Sequence, residues 1–235
     1  MRAILLAAGV GSRISSEIGQ IPKSLVDVNG RPLIVHTVEL LQKNHIEVTI
    51  VTGFKYKMIE DALKDYQVDF YYNPFYRVTN SIGSLWYARK KLNTHDVMIA
   101  NADLYYTQEL LDRVFNINQD NFLLSDVTRA QVGDYFFYSE NGILKKYGKE
   151  LKPEERNSEY VGIACLRGAW VKKFKKRLVS LIEDGKYNTW WESVLYSFVG
   201  EEDIHTADVN GIFWSEVDTI DDYHRVLNYA KKNNG

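Results

Sequence analysis

Apolar positions in the first half of the chain fall into two alternating textures. The runs at 2–6, 48–52, Val68–Tyr72 and 97–100 are short and nearly continuous. Strands buried on both faces have that appearance. Between them, apolar residues recur at helical spacing: Leu33, Val38, Leu40 and Leu41 behind Pro32, then Met58, Ile59, Ala62 and Leu63, then residues 84–92. Strands alternating with helices predict βαβ units and a mainly parallel, Rossmann-like central sheet.

After about residue 120 the texture changes. Residues 122–125 predict a strand. The runs 134–138 and 143–147, joined by Asn141-Gly142, predict a β-hairpin, because Asn-Gly supplies the positive φ angles of a tight turn. Further strands are expected at 160–166 and 205–209, and helices at 171–182 and 190–198. A last helix should start near Ile220, with Thr219 as its cap and Asp222 three residues on. No stretch has the composition of a linker. The expectation is a single α/β domain over 1–235, with a nucleotide-binding half at 1–120 and an acceptor-binding half at 121–235. The second half should add a small β-rich insertion and C-terminal helices.

With 29 basic and 31 acidic residues the formal net charge is −2. That balance argues against an electrostatic nucleic-acid binder. The single cysteine, Cys165, excludes an internal disulfide framework and fits a reducing, cytoplasmic setting. The apolar run in MRAILLAAGVGSR is too short to span a bilayer, so no membrane insertion is expected. The 16 Tyr, 10 Phe and 5 Trp could build core or line a pocket, and composition does not choose between the two.

The most specific string is Leu6-Ala7-Ala8-Gly9-Val10-Gly11-Ser12-Arg13, followed by Ile21-Pro22-Lys23. A glycine turn after a strand lets backbone N–H groups approach an anion. Arg13 and Lys23 add two positive charges suited to a polyphosphate. A P-loop would need G-x-x-x-x-G-K-[ST], which is absent. A dinucleotide fingerprint would need a third Gly or Ala where Ile14 stands, and an acid where Thr52-Gly53 stands.

The string L-A-A-G-x-G-S-R with P-K ten residues on resembles the nucleotidyltransferase superfamily that joins a nucleoside triphosphate to a phosphorylated small molecule. Within it, the chain resembles bacterial choline-phosphate cytidylyltransferases and their relatives acting on aminoethylphosphonate. That resemblance implies the nucleotidyltransferase fold, nucleotide contacts from Leu6, Ala7, Ala8, Gly9, Gly11 and Ser12, and Mg²⁺ as cofactor. It also leaves room for a homodimer.

Asp103 follows the run 97–100 and should stand at the carboxyl end of a strand, where open α/β sheets bind ligands. Alone, Asp103 and Asp218 read equally well as turn or cap residues. The resemblance implies that both are Mg²⁺ ligands, Asp103 also meeting the nucleotide, and that Asn101, at the first position of the DAD-like motif, is not one. An acceptor phosphate or phosphonate is largely ionised at pH 7, so no protein base is required. This fits five histidines that form no dyad. Lys23 is then expected to stabilise charge on the transferred phosphoryl group, and Arg13 the β- and γ-phosphates.

Residues 79–86, TNSIGSLW, read alone as a helix cap; the resemblance makes Asn80 and Ser84 candidates for reading cytosine. An ammonium acceptor is well held by aromatic faces and a carboxylate, and Trp190 with Glu192 offers that set. Their alternative reading is two tryptophans anchoring a helix and an exposed first-turn acid. Tyr135, with Phe136 beside it, Glu159 and Lys149 are further acceptor candidates, although Lys145, Lys146, Lys149 and Lys152 also read as a solvated run. The leading expectation is a Mg²⁺-dependent transfer of CMP from CTP to a phosphorylated or phosphonate amine or alcohol. A sugar-1-phosphate nucleotidyltransferase using another triphosphate, and a non-catalytic nucleotide sensor, are the alternatives.

Overall fold

The computed structural model describes residues 1–11, 19 and 21–233. Its central strand, β1 (Arg2–Ala7), is buried at all six positions. It lies between β2 (Glu47–Thr52) and β4 (Asp96–Asn101), both parallel to it, with β3 (Val68–Tyr72) parallel beyond β2. Because side chains alternate along a strand, β1 feeds two cores. Ala3, Leu5 and Ala7 pack under α1 (Leu33–Lys43), α2 (Tyr56–Ala62) and α4 (Gln108–Phe115). Ile4 and Leu6 pack under α3 (Ser81–Tyr87) and α5 (Ala169–Glu183).

The parallel block ends at β4. Next to it β9 (Ser158–Arg167) runs antiparallel, and it pairs on its other side with β6 (Asn121–Asp126). Beyond β6 come β10 (His205–Asp208), then β8 (Ile143–Gly148) and β7 (Phe136–Glu140). Among the described residues this makes one nine-stranded sheet, order β3-β2-β1-β4-β9-β6-β10-β8-β7, with β7 also reaching β9. The expected parallel sheet is thus the property of the first half, and the second half is mixed. The β7–β8 turn has Asn141 at φ 52° and Gly142 at φ 73°, the left-handed pair that Asn-Gly predicts.

A two-stranded ribbon pairs β5 (Leu104–Tyr106) with β11 (Trp214–Glu216). The last helix, α7 (Ile220–Asn233), starts with the predicted capping box: Asp222 N–H donates to Thr219 Oγ1 at 3.2 Å and Thr219 N–H to Asp222 Oδ2 at 2.9 Å. Two predicted helices differ. The helix expected at 84–92 starts earlier, at Ser81, because Asn80 caps it, and gives way to a 3₁₀ turn at Arg89–Lys91. The helix expected at 190–198 shrinks to α6 (Ser193–Tyr196). Trp191 N–H is taken by Ser81 Oγ at 2.9 Å, which holds residues 190–192 in a turn. No helix among the described residues is long and apolar enough to cross a membrane, and Cys165 is buried and free.

Candidate active site

A cleft of about 360 Å³ opens at the carboxyl ends of β1 and β4, where strand ends leave main-chain groups free for a ligand. Leu6, Ala7, Ala8, Gly9, Gly11 and Lys23 line one side. Ser12 and Arg13 lie outside the described residues. The two glycines differ in what they permit. At Gly9 a Cβ would meet nothing within 4 Å, so that glycine keeps the floor open. At Gly11, φ is +68° and a Cβ would come within 2.5 Å of Lys23 Cγ. Glycine there lets the lysine stem lie across the loop.

Lys23 Nζ stands 3.2 Å from Asp103 Oδ2 and also donates to Asp218 Oδ1. Residues 103 and 218 meet because of strand register. In the ribbon Glu216 lies opposite Leu104, and Val217 N–H donates to the Asp103 carbonyl at 2.9 Å. Glu216 and Asp218, two apart, then share a side. Oxygens of Asp103, Glu216 and Asp218 lie within 4.8 Å of one another. An all-oxygen carboxylate set suits a hard dication such as Mg²⁺. The Lys23 ammonium is itself a cation seated between two of them, Asp103 and Asp218. Glu216 is the member that sequence reasoning passed over; the alternation in Glu-Val-Asp was the signal for it.

On the base side, Asn80 and Ser84 both line the cleft. Asn80 is also the helix cap it resembled, since Ser81 N–H donates to its Oδ1 at 2.7 Å. Ser84 is buried and accepts from Asn73 Nδ2 at 3.0 Å. Asn80 N–H donates to the Tyr187 carbonyl and Ile82 N–H to that of Thr189. The start of α3 is therefore stitched to the segment carrying Trp190, and the two ends of the cleft share a wall.

The far end is an aromatic cup. Trp190 is 41% exposed and Tyr135 lies 5.4 Å from it, ring to ring, at 62°. Tyr196 stacks on Tyr135 at 6.0 Å and on Tyr147 at 4.1 Å. Burial pushes the Tyr135 phenol up to about 12. Lys149 pairs with Asp134 at 2.5 Å and sits 5.7 Å from the Trp190 ring centre. Two neighbouring rings are elsewhere. Trp191 is fully buried and donates its indole N–H to Asn101 Oδ1 at 2.9 Å, so it is core. Phe136, one residue out of phase with Tyr135 and Phe137, is buried and meets the Arg156 guanidinium at 3.9 Å.

Glu192 lines the cup but is only 5% exposed, which corrects the exposed first-turn alternative. Burial raises its carboxyl to about 8, with Glu216 and Asp103 adding to the rise; its own N–H and the Asn101 amide oppose it. The Trp191 indole fixes the orientation of Asn101 by occupying Oδ1, so that amide presents its NH₂ to Glu192. Glu159 also lines the cleft, but its oxygens are engaged by Arg129 Nε and by Asp134 N–H at 2.9 Å. A Cβ at Gly133 would strike it. Glu159 thus anchors the 129–135 segment, and desolvation raises its carboxyl despite the arginine. Tyr160 and Tyr196 complete the cup. Neither was legible in advance, because the sequence holds many similar rings.

The family described as MobA-like NTP transferase domain matches residues 3–147. The chain belongs to that family. This nucleotidyltransferase is 26% identical to the choline-phosphate cytidylyltransferase of Streptococcus pneumoniae over the whole of both chains. It is 25% identical to the enzyme of the same name from Haemophilus influenzae, over 97% of this chain and 96% of that one. Among solved structures, the transferase superposes on the CTP:phosphocholine cytidylyltransferase of Streptococcus pneumoniae with TM-score 0.78 at 20% identity, covering 97% and 98% of the two chains. The inositol-1-phosphate CTP transferase from T. maritima gives 0.79 at 19%, covering 99% and 96%. The fold is the α/β nucleotidyltransferase fold.

Proposed function

We propose that the chain transfers CMP from CTP to a small phosphorylated or phosphonate acceptor carrying an ammonium group, with phosphocholine and 2-aminoethylphosphonate favoured, and releases pyrophosphate. The observation that carries this reading is the joining, in one cleft, of the Gly9–Gly11 loop and Lys23 with a cup of Tyr135, Trp190 and Tyr196 around Glu192. Rings and a carboxylate hold an ammonium well; a sugar would call for more hydrogen-bonding side chains there.

In the reaction an acceptor phosphate oxygen attacks the α-phosphorus of CTP, the bond from that phosphorus to the β-bridging oxygen breaks, and pyrophosphate leaves with the electron pair. The oxygen is largely ionised at neutral pH, so the chain need only position and neutralise. Ala8 and Gly9 main chain, with Asn80 and Ser84, hold the base. Lys23 stabilises charge on the transferred phosphoryl group, and Arg13 is assigned to the β- and γ-phosphates by resemblance. Asp103, Glu216 and Asp218 would hold Mg²⁺, which when bound screens the repulsion between nucleotide and acceptor phosphates. Lys149 lies beside Trp190 where an acceptor phosphate could be met. The free thiol Cys165 suits a cytoplasmic enzyme.

The test is pyrophosphate release from the four ribonucleoside triphosphates against phosphocholine, aminoethylphosphonate, phosphoethanolamine and sugar 1-phosphates. CTP with one of the first three should give the highest kcat/KM. Preference for a sugar phosphate, or no turnover with any pair, would overturn the reading.

A further inference from the structure

Asn73 follows β3 and is fully buried. Its own N–H donates to the Thr52 carbonyl at 2.8 Å, and its side chain reaches three partners. Phe75 N–H donates to Oδ1 at 2.9 Å. A backbone N–H can only donate, so this contact fixes which end of the amide is oxygen. The NH₂ end must therefore face the other way, where it donates to Thr79 Oγ1 and to Ser84 Oγ, each at 3.0 Å. Both hydroxyls accept, and each still has a hydrogen to place. Thr79 gives its hydrogen to the Phe75 carbonyl at 3.0 Å. Among the described residues Ser84 has no acceptor for its own, and Ser84 lines the cleft.

We propose that Asn73, which touches no substrate, is a specificity-positioning residue that locks the Ser84 hydroxyl as a hydrogen-bond donor into the base pocket. The ligand group this selects is a nucleobase acceptor, and the 2-carbonyl of a pyrimidine is of that kind. The proposal rests on the cytidylyl reading above. Gly83 makes the arrangement possible: a Cβ there would come within 2.7 Å of Thr79 Cβ and push Thr79 off the amide. A polar site built this way rejects a mismatched edge strongly, because a buried hydroxyl locked to donate would face another donor.

Asn73→Asp keeps the size of the side chain and reverses its polarity. A carboxylate has no hydrogens to give, so both hydroxyls must donate to it and Ser84 turns an acceptor toward the base. Calorimetric titration with CTP should show Kd weakened about 10- to 100-fold in Asn73→Asp, with kcat at saturating CTP within about threefold and phosphocholine KM unchanged. Ser84→Ala should weaken CTP by about tenfold, and adding Asn73→Asp to it should cost nothing more. A merely structural Asn73 would instead give additive losses and a shifted phosphocholine KM, and either result overturns the proposal. If Asn73→Asp does not fold, 2-thiocytidine triphosphate tests the donor in the unmutated chain. It should bind about tenfold more weakly than CTP, and that ratio should fall to about one in Ser84→Ala. Equal binding by the unmutated chain would overturn the proposal. Failure of the cytidylyl reading looks different, since the unmutated chain would then bind a purine triphosphate in preference to CTP.

Discussion

At the end of β1 the cleft wall is main chain and small side chains, Leu6 through Gly9, carried by the parallel block. At the other end it is rings and a buried acid, carried by the antiparallel strands and by the turn at 190–192. The first wall is a contiguous string whose geometry follows from one strand and its turn. The second is gathered from Tyr135, Tyr160, Trp190, Glu192 and Tyr196, residues on three separate stretches of chain. A wall of backbone can serve any triphosphate, whereas a wall of side chains can change its ligand by changing a residue. Chemistry common to a family belongs on the first and selectivity on the second.

The largest effect that could break this division is at Lys23, the charge on the shared side. Lys23→Ala should lower pyrophosphate release by about 10²–10³ while leaving acceptor KM nearly unmoved. It should also melt lower than the parent in chelator, because Asp103 and Asp218 lose their ammonium, and added magnesium should close the gap. A Lys23→Ala chain with near-normal turnover would remove the lysine from the chemistry.

Glu192→Gln comes next, and it separates the two walls. The KM for a cationic acceptor should rise about 10- to 100-fold with CTP KM unchanged; a matching rise for CTP would erase the distinction. The same residue carries a pH signature. Its folded carboxyl titrates near 8 and its unfolded one near 4.5, so between those values the folded state holds more protons. Stability from this group is therefore highest below 4.5 and falls as pH rises toward 8. In chelator, Glu192→Gln should melt higher than the parent at pH 8, and the gap should close as pH approaches 4.5. Binding of an ammonium at pH 7 should release protons, measurable by calorimetry in buffers of different ionisation enthalpy.

The glycine string and Lys23 were legible because their signal is local: spacing, missing Cβ atoms and a fixed proline. The same holds for the Val68–Tyr72 strand, which matches its predicted ends. What escaped was decided by long-range contact. Nothing near Glu192 in sequence says that it is buried, since that depends on strands β4 and β9 closing over it. Trp190 and Trp191 are chemically alike and differ only because Ser81 and Asn101 hold the second one inward. Glu216 stood beside a residue already chosen, and the ribbon register made it a third carboxylate. The antiparallel insertion of β9 likewise has no signature in its own apolar run, which reads the same in either direction.

Two smaller changes sharpen the comparison. Trp190→Ala should raise acceptor KM by about tenfold, the scale of one cation–aromatic contact with its buried area, again without effect on CTP. Gly142→Ala, at a φ of 73°, should cost about 1 kcal/mol of stability. Because the β7–β8 hairpin holds Tyr147 against Tyr196, it should move acceptor KM by less than about twofold and CTP KM not at all. A larger change for CTP would mean that the hairpin supports the whole cleft.

The seat of Lys23 among Asp103 and Asp218 makes the ammonium a tethered competitor. Any dication that uses those oxygens displaces a partner held at high local concentration by the chain itself, so apparent metal affinity is set by an exchange. The lysine released in that exchange is the one to which the proposed reaction assigns charge on the transferred phosphoryl group. Under the proposed function, arrival of the metal and release of the lysine would be a single event, and a chain without metal keeps that ammonium latched.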